Sequence, residues 1–171
     1  DGVQTEFHRG LLMNTSTKAL IGVLLLLSPW LLVQAWILAA APDEAIEEMP
    51  SCSESSSNCA HLGGGDYHRM EVTTVILEGQ SLEETKSLAL DYIDEHDGEV
   101  LFESESDGEY FVHFVEHTSF WLFPDDVVVS ITADGANSSK IELHSESRLG
   151  AGDLGVNPER LELLYDALAS D

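Results

Sequence analysis

Residues Ser81–Glu116 read SLEETKSLALDYIDEHDGEVLFESESDGEYFVHFVE, and the change of period inside this stretch decides the fold class. Ser81 and Glu84 stand at the spacing of a capping box. In that motif the serine side chain caps a first-turn amide, and the glutamate reaches back to the serine's own amide. Leu82, Leu88, Ala89, Tyr92 and Ile93 then recur at helical spacing, giving one apolar stripe that stops at His96-Asp97-Gly98. From Glu99 the period falls to two. Glu99–Glu103 and Glu109–Glu116 flank Ser106-Asp107-Gly108, whose Asp-Gly step suits a tight hairpin turn with positive φ. A one-sided helix beside a hairpin needs a sheet on which to lay its stripe.

Upstream, Glu71–Leu77 (EVTTVIL) is a β-branched run that predicts a strand ending at Glu78-Gly79. Downstream, Asp126–Ala133 and Lys140–Ser145 predict a second strand pair, with Val127, Val129 and Ile131 on one face and Ile141 and Leu143 alternating likewise. Asn157-Pro158 reads as an N-cap and a first-position proline, opening a last helix with Leu161, Leu164, Tyr165 and Leu168 as its buried stripe. The order strand, helix, four strands, helix predicts an α+β, two-layer domain. Its sheet is mainly antiparallel, both helices pack on one face, and an N-terminal transmembrane helix precedes it.

That preceding helix is read from Ala19–Ala41, ALIGVLLLLSPWLLVQAWILAAA, which carries no formal charge and at helical rise is roughly 34 Å long. Arg9 and Lys18 lie before it, whereas Asp43, Glu44, Glu47 and Glu48 follow and the next basic residue is Arg69. The positive-inside rule therefore places the C-terminal part outside the cell. The expected setting is the cell membrane, single-pass, with a cytoplasmic N terminus and an extracytoplasmic C-terminal domain. A cleaved signal peptide is the alternative, giving a secreted or periplasmic protein, since Met13–Lys18 resembles a positive leader and Ala39-Ala40-Ala41 a cleavage site. Against cleavage, the apolar run is long and Pro42 follows the site directly. The expected organisation is a cytoplasmic segment over 1–18, of which 1–12 reads as upstream read-through or a fragment end. An anchor or uncleaved signal follows over 19–41, then an acidic spacer over 42–51, and the extracytoplasmic domain over 52–171.

The chain has 171 residues and a formal net charge of −25, so its length suits one ordinary domain with an appendage. All but two of its 32 acidic residues follow residue 42, against five basic ones, Arg69, Lys86, Lys140, Arg148 and Arg160. Such a surface repels phosphate backbones, which excludes nucleic acid as an expected partner. Abundant carboxylates with almost no lysine point to adaptation to high salt, where screening relieves the repulsion; an ordinary acidic exported protein is the simpler alternative.

The two cysteines, in Cys52-Ser-Glu-Ser-Ser-Ser-Asn-Cys59, suit a short disulfide loop in an oxidising compartment. As zinc ligands two thiolates with no second pair form an incomplete set, and the spacing is not that of a redox pair two residues apart.

The least ordinary segment is His144–Arg160, HSESRLGAGDLGVNPER, in which three glycines interrupt a dense polar set directly after a strand. With Phe123-Pro-Asp-Asp-Val127 and the Ser57-Asn-Cys59 end of the cysteine loop, it resembles the bacterial, archaeal and plastid family catalogued as domain of unknown function number 1499. The matching positions are Cys52, Asn58, Cys59, Asp125, Asp126, Ser145, Ser147, Arg148, Gly150, Asp153, Gly155, Asn157 and Arg160. The chain departs from the pattern at Ser57, at His61-Leu62 and at His144, where the family often has Pro, a Ser pair and Arg. The resemblance covers about Cys52 to the C terminus and implies an exported or membrane-associated setting; it carries no activity across.

Read as chemistry, Arg148, Ser147, Ser145, Asp153, Asn157, Arg160 and Asp126 suit a pocket for an anion or small polar ligand, because arginine forks match carboxylate and phosphate. The competing reading is structural: Asp153 and Asn157 satisfy backbone amides of the turn, while Arg148 and Arg160 pair with Asp125 or Asp126. Phe120-Trp-Leu-Phe123 reads either as core or as an apolar lip, with Phe120, Trp121 and Phe123 contacting a partner or the membrane interface. Asn137-Ser-Ser139 fits the glycosylation pattern. His113 and His117 share a strand face but lie about 13 Å apart, too far for one metal unaided; His144 is a candidate nearer across the sheet, and a satisfied or surface histidine is the simpler reading of each. No GxSxG or HExxH spacing occurs, so no catalytic residue, metal ligand or cofactor is assigned. The expected function is a membrane-tethered extracytoplasmic module for a polar or lipidic ligand or a protein partner. A hydrolase-like or metal-dependent enzyme built on the Ser145–Arg160 loop is the alternative.

Overall fold

The computed structural model describes residues 14–170, so the expectations for residues 1–12 lie outside the described residues. In chain order the elements are α1 (Thr15–Ala40), β1 (Cys59–Gly63), β2 (Asp66–His68), β3 (Ile76–Glu78), α2 (Leu82–Glu95), β4 (Glu99–Ser106), β5 (Glu109–His117), β6 (Pro124–Ala133), β7 (Ser138–Ser147) and α3 (Val156–Leu168). The chain divides between Ala39 and Ala40 into two compact units. In the first, α1 runs for 26 residues at a mean hydropathy of 2.1, long and apolar enough to serve as a membrane anchor or a signal sequence. Pro29 lies inside it and withholds one backbone donor.

The second unit is α+β. Its seven-stranded antiparallel sheet has the order β2-β1-β7-β6-β5-β4, with β3 also pairing with β7. The stretch that decides the class folds as its periods predict. Ser81 accepts from the Glu84 amide, the Glu84 carboxylate accepts from the Ser81 amide, and Thr85, Ala89, Tyr92 and Ile93 are buried. Gly108, at φ 82°, turns β4 into β5. Alternate residues then build one core face: Tyr110, Val112 and Phe114 from β5, Val127, Val129 and Ile131 from β6, and Ile141 and Leu143 from β7. Onto that face pack Ala89, Tyr92 and Ile93 of α2 and Leu161, Leu164 and Leu168 of α3.

Two strands go beyond the expected order, and one is shorter than expected. β1 reads CAHLG and all five residues are buried, so no polar alternation marks it in the sequence. The expected strand over Glu71–Leu77 contracts to Ile76–Glu78, because two segments share the outer edge of β7. β1 pairs with Leu143–Glu146 and β3 takes Ser138–Lys140. Gly63, at φ 110°, lets β1 leave that edge; a Cβ there would stand 3.0 Å from both the Glu142 Cα and the Ile141 carbonyl oxygen. Asn157 is also not the N-cap of the last helix. Gly155 occupies that place in a left-handed conformation, and Asn157 is a fully buried helical residue.

The acidic segment 42–51 is fastened to the sheet. Arg148 donates to the Pro42 carbonyl and to Asp43, and the Ile46 amide donates to His113 Nδ1.

Candidate functional site

The two segments that carry the family pattern meet at one end of the sheet, where β7 runs out and α3 begins. Ser57 Oγ donates to the Ala151 carbonyl, and Asn58 Nδ2 donates to the carbonyls of Ser147 and Gly150. In return the Ser147 amide donates to the Asn58 carbonyl and the Asp153 amide to that of Ser57. Asn157 is the central node. It accepts from Ser145 Oγ at 2.6 Å and Arg160 Nη1 at 2.9 Å, and donates to the Asn58 carbonyl at 2.8 Å and Ser147 Oγ at 3.0 Å.

Arg160 closes the cluster from α3. Its Nε donates to Glu116 and its Nη2 to Asp125, each at 2.8 Å, and the Asp125 side chain is only 2% exposed. Buried charges of this kind persist only when paired and hydrogen-bonded. Ser145 is fully buried and its hydroxyl faces Asn157 and Arg160, so it meets an amide oxygen and a cation where a nucleophile needs a base.

Asp153 does the capping that Asn157 was expected to do. Its carboxylate accepts from the amides of Gly155 and Asn157 and forms a two-pronged pair with Arg69, at 2.7 and 3.0 Å. Arg69 carries no sequence signal for this role; it arrives from the loop after β2 and also donates to the Cys59 carbonyl. Burial pushes the Asp153 carboxyl up, but the bonds from Arg69, Gly155 and Asn157 outweigh it and hold the group at about 2. A carboxyl depressed in the folded state stabilises the fold above its ordinary pKa near 4, and that contribution is lost as pH falls toward 2. Asp153→Asn is therefore expected to lower stability by about 2 kcal/mol near neutrality, with the gap from wild type closing below about pH 4. Denaturant unfolding between pH 7 and 2 checks this; a gap that stays constant would show that the carboxylate charge is not its source.

Asp126 and Arg148 stand on the opposite face of the sheet, so the seven residues expected to share a pocket divide between two clusters. Arg148 Nε donates to both Asp126 oxygens at 3.0 Å, and its Nη2 donates to Oδ1 at 2.8 Å. His113, fully buried, lies with Nε2 2.8 Å from the same oxygen while Nδ1 accepts from Ile46. Burial pushes the Asp126 carboxyl up, but the bonds from His113 and Arg148 prevail and hold it below the ordinary range. Pro42, Glu44, Ile46, Asp126 and Arg148 line an open hollow of about 340 Å³. All three nitrogens of the guanidinium already have acceptors there, so a ligand must break an existing ion pair to bind Arg148.

On this second face the cross-strand register sets histidines in a row. His68 on β2 faces His61 on β1, which faces His144 on β7; Val128 on β6 and His113 on β5 follow. Val128 thus separates His144 from His113, so the two histidines do not meet across the sheet. Cys52 and Cys59 form the expected disulfide, and the Cys59 sulfur lies 3.7 Å from His144 Nε2. Burial and the neighbouring His61 push the His144 imidazole down to about 4, against the opposing charge of Asp126, so the ring is neutral at neutral pH.

Between β5 and β6 the residues 118–123 form a self-bonded turn. The Thr118 amide donates to the Phe123 carbonyl, the Leu122 amide to the Thr118 carbonyl, and the Phe123 amide to Thr118 Oγ1. Phe120, Trp121 and Leu122 are 68%, 38% and 39% exposed, with the Phe120 and Trp121 rings edge to face at 4.9 Å. Phe123 is half-buried, so Leu122 takes the outward place expected of it. Asn137 is exposed in the turn before β7, where a glycan acceptor would have to stand.

A family model described as a protein of unknown function, DUF1499, matches residues 44–168, a span that takes in the acidic segment as well as the sheet and both packed helices. No curated protein and no solved structure matches the chain.

Proposed function

The chain belongs to the DUF1499 family of proteins of unknown function, and from that premise we propose that it is a membrane-anchored extracytoplasmic interaction module whose β5–β6 turn rests in the lipid interface. Orientation is supported by charge: Arg9 and Lys18 precede the apolar helix and a strongly acidic chain follows it. The Cys52–Cys59 disulfide suits the oxidising side of the membrane.

The observation that carries the proposal is the Phe120–Leu122 turn, three exposed apolar side chains held by a turn that the Leu122 and Phe123 amides close on Thr118. Phenylalanine and tryptophan of this exposure suit the headgroup boundary, where an apolar ring body and a polar indole edge are both accommodated. The turn also projects from the sheet end at which the polypeptide enters this unit: Arg148 holds Pro42 and Asp43, and its amide donates to the Pro124 carbonyl at the start of β6. The acidic remainder of the unit repels anionic headgroups, which favours contact through the apolar turn alone. The hydrolase-like alternative has no comparable support, because Ser145 and Arg160 are committed to Asn157, Glu116 and Asp125.

With Trp30→Phe and Trp36→Phe, Trp121 becomes the sole tryptophan. The full chain carrying both changes, reconstituted in phosphatidylcholine vesicles, is expected to lose Trp121 emission when the lipids are brominated close to the headgroup. Emission equal to that in unbrominated vesicles would overturn the lipid contact and direct attention to a protein partner for the same turn.

A further inference from the structure

The row of histidines converges on the disulfide in a way that a structural crosslink does not need. Nδ1 of His61 and Nδ1 of His144 lie 3.3 Å apart. Two nitrogens bound tetrahedrally to one zinc ion at ~2.0–2.1 Å are separated by about this distance. The two sulfurs stand beside His144: ligand atoms of Cys52, Cys59 and His144 all fall within 4.8 Å of one another, a group to which His61 connects through its contact with His144, and the Cys59 sulfur is 3.9 Å from His144 Nδ1 and 3.7 Å from its Nε2.

The Nε2 of each ring lies near a carboxylate of β7. His61 Nε2 lies 3.3 Å from Glu142 Oε1, and His144 Nε2 lies 3.7 Å from Glu146 Oε2. A carboxylate on the far nitrogen is the usual orienting partner of a metal-bound imidazole, and Glu142 stands in that place for His61. His61, His144 and Cys59 are almost wholly buried while Cys52 is half-buried, so an incoming reductant has one accessible sulfur and the finished site would be closed to water.

We propose that the Cys52–Cys59 disulfide is the oxidised form of a two-cysteine, two-histidine zinc site, in which the thiolates join Nδ1 of His61 and Nδ1 of His144 around one ion. A dithiol reductant supplies the two electrons and two protons. Its thiolate attacks the Cys52 sulfur, Cys59 leaves, and the second thiol of the reductant resolves the mixed disulfide, so that one disulfide is broken and one formed. Zinc(II) then displaces a proton from each cysteine thiol and takes the two neutral imidazoles. Disulfide and metal become alternative staples for the same loop: either one pins residues 52–59 against β7, and the redox state decides which.

The test uses the full chain in detergent micelles, reduced with a phosphine so that no added thiol competes, and titrated with cobalt(II) as a spectroscopic probe. The expected result is one equivalent bound, with sulfur-to-cobalt charge-transfer absorption and the intense ligand-field bands of a tetrahedral site. Zinc should abolish the bands, and the oxidised chain should not show them. Glu142→Gln is expected to weaken zinc binding about 10–100-fold, the usual effect of removing an orienting carboxylate. X-ray absorption of the zinc-loaded wild-type chain, which needs no variant to fold, should show two sulfurs at ~2.3 Å and two imidazole nitrogens at ~2.0–2.1 Å. A reduced, folded chain that binds no cobalt would overturn the proposal. So would a zinc spectrum with sulfur but no imidazole scattering.

Discussion

Arg160→Ala is expected to destabilise the fold by about 3–5 kcal/mol, the cost of removing one member of a buried ion cluster and leaving the others uncompensated. The guanidinium bridges Asp125, 2% exposed, and Glu116, 12% exposed, and it also donates to Ser145 and Asn157. Without it, two buried carboxylates would be left with no cation beside them. Arg160→Lys keeps the charge but has no planar fork, so it should recover only part of the loss. Equilibrium unfolding in detergent, followed by near-ultraviolet circular dichroism, measures both. A cost below about 1 kcal/mol for the alanine variant would mean that water reaches the two carboxylates, as at an exposed pair.

The second large effect is expected at Asn157. An N-cap replaced by alanine costs about 1 kcal/mol, and serine in its place costs little, because serine caps well. The buried node predicts otherwise. Asn157→Ala leaves the Asn58 carbonyl, Ser147 Oγ, Ser145 Oγ and Arg160 Nη1 each short of a partner inside the protein, for an expected loss of about 2–4 kcal/mol. Asn157→Ser should fare nearly as badly, since a short hydroxyl cannot reach partners on three segments. A serine variant as stable as wild type would return Asn157 to the helix terminus.

These two residues also mark where reading the chain reaches its limit. Asn157-Pro158 carries a sound local signal for the start of a helix, and the helix does begin close by, but with its N-cap at Gly155, two residues before Asn157. The shift arises because Asp153, braced by Arg69 from a distant loop, satisfies the helix amides and frees the asparagine side chain to turn inward. Arg69 contributes nothing recognisable to a local pattern. The pairing of Arg160 with Asp125 was one of the alternatives the sequence left open, and the sheet register settles it by placing Asp125 on the helix-covered face and Asp126 on the other. β1 was missed for a related reason. A strand covered on both faces loses the alternation that identifies strands, and CAHLG is buried at every position.

Local chemistry thus accounts for the elements themselves. The capping box at Ser81, the Asp107-Gly108 turn, the apolar periods of α2 and α3 and the length of α1 all act within a few residues along the chain, where spacing alone determines geometry. The α+β class and the apolar helix follow from those spacings. The site does not, because its partners are set by how strands align. His61 meets His144 across a register that their separation of 83 positions does not encode, and Asn58 meets Asn157 only once β1, β7 and α3 are packed together. Register and packing are many-body outcomes of burying one face of every strand at once. Which polar groups then face each other on a finished sheet is a property of the fold as a whole.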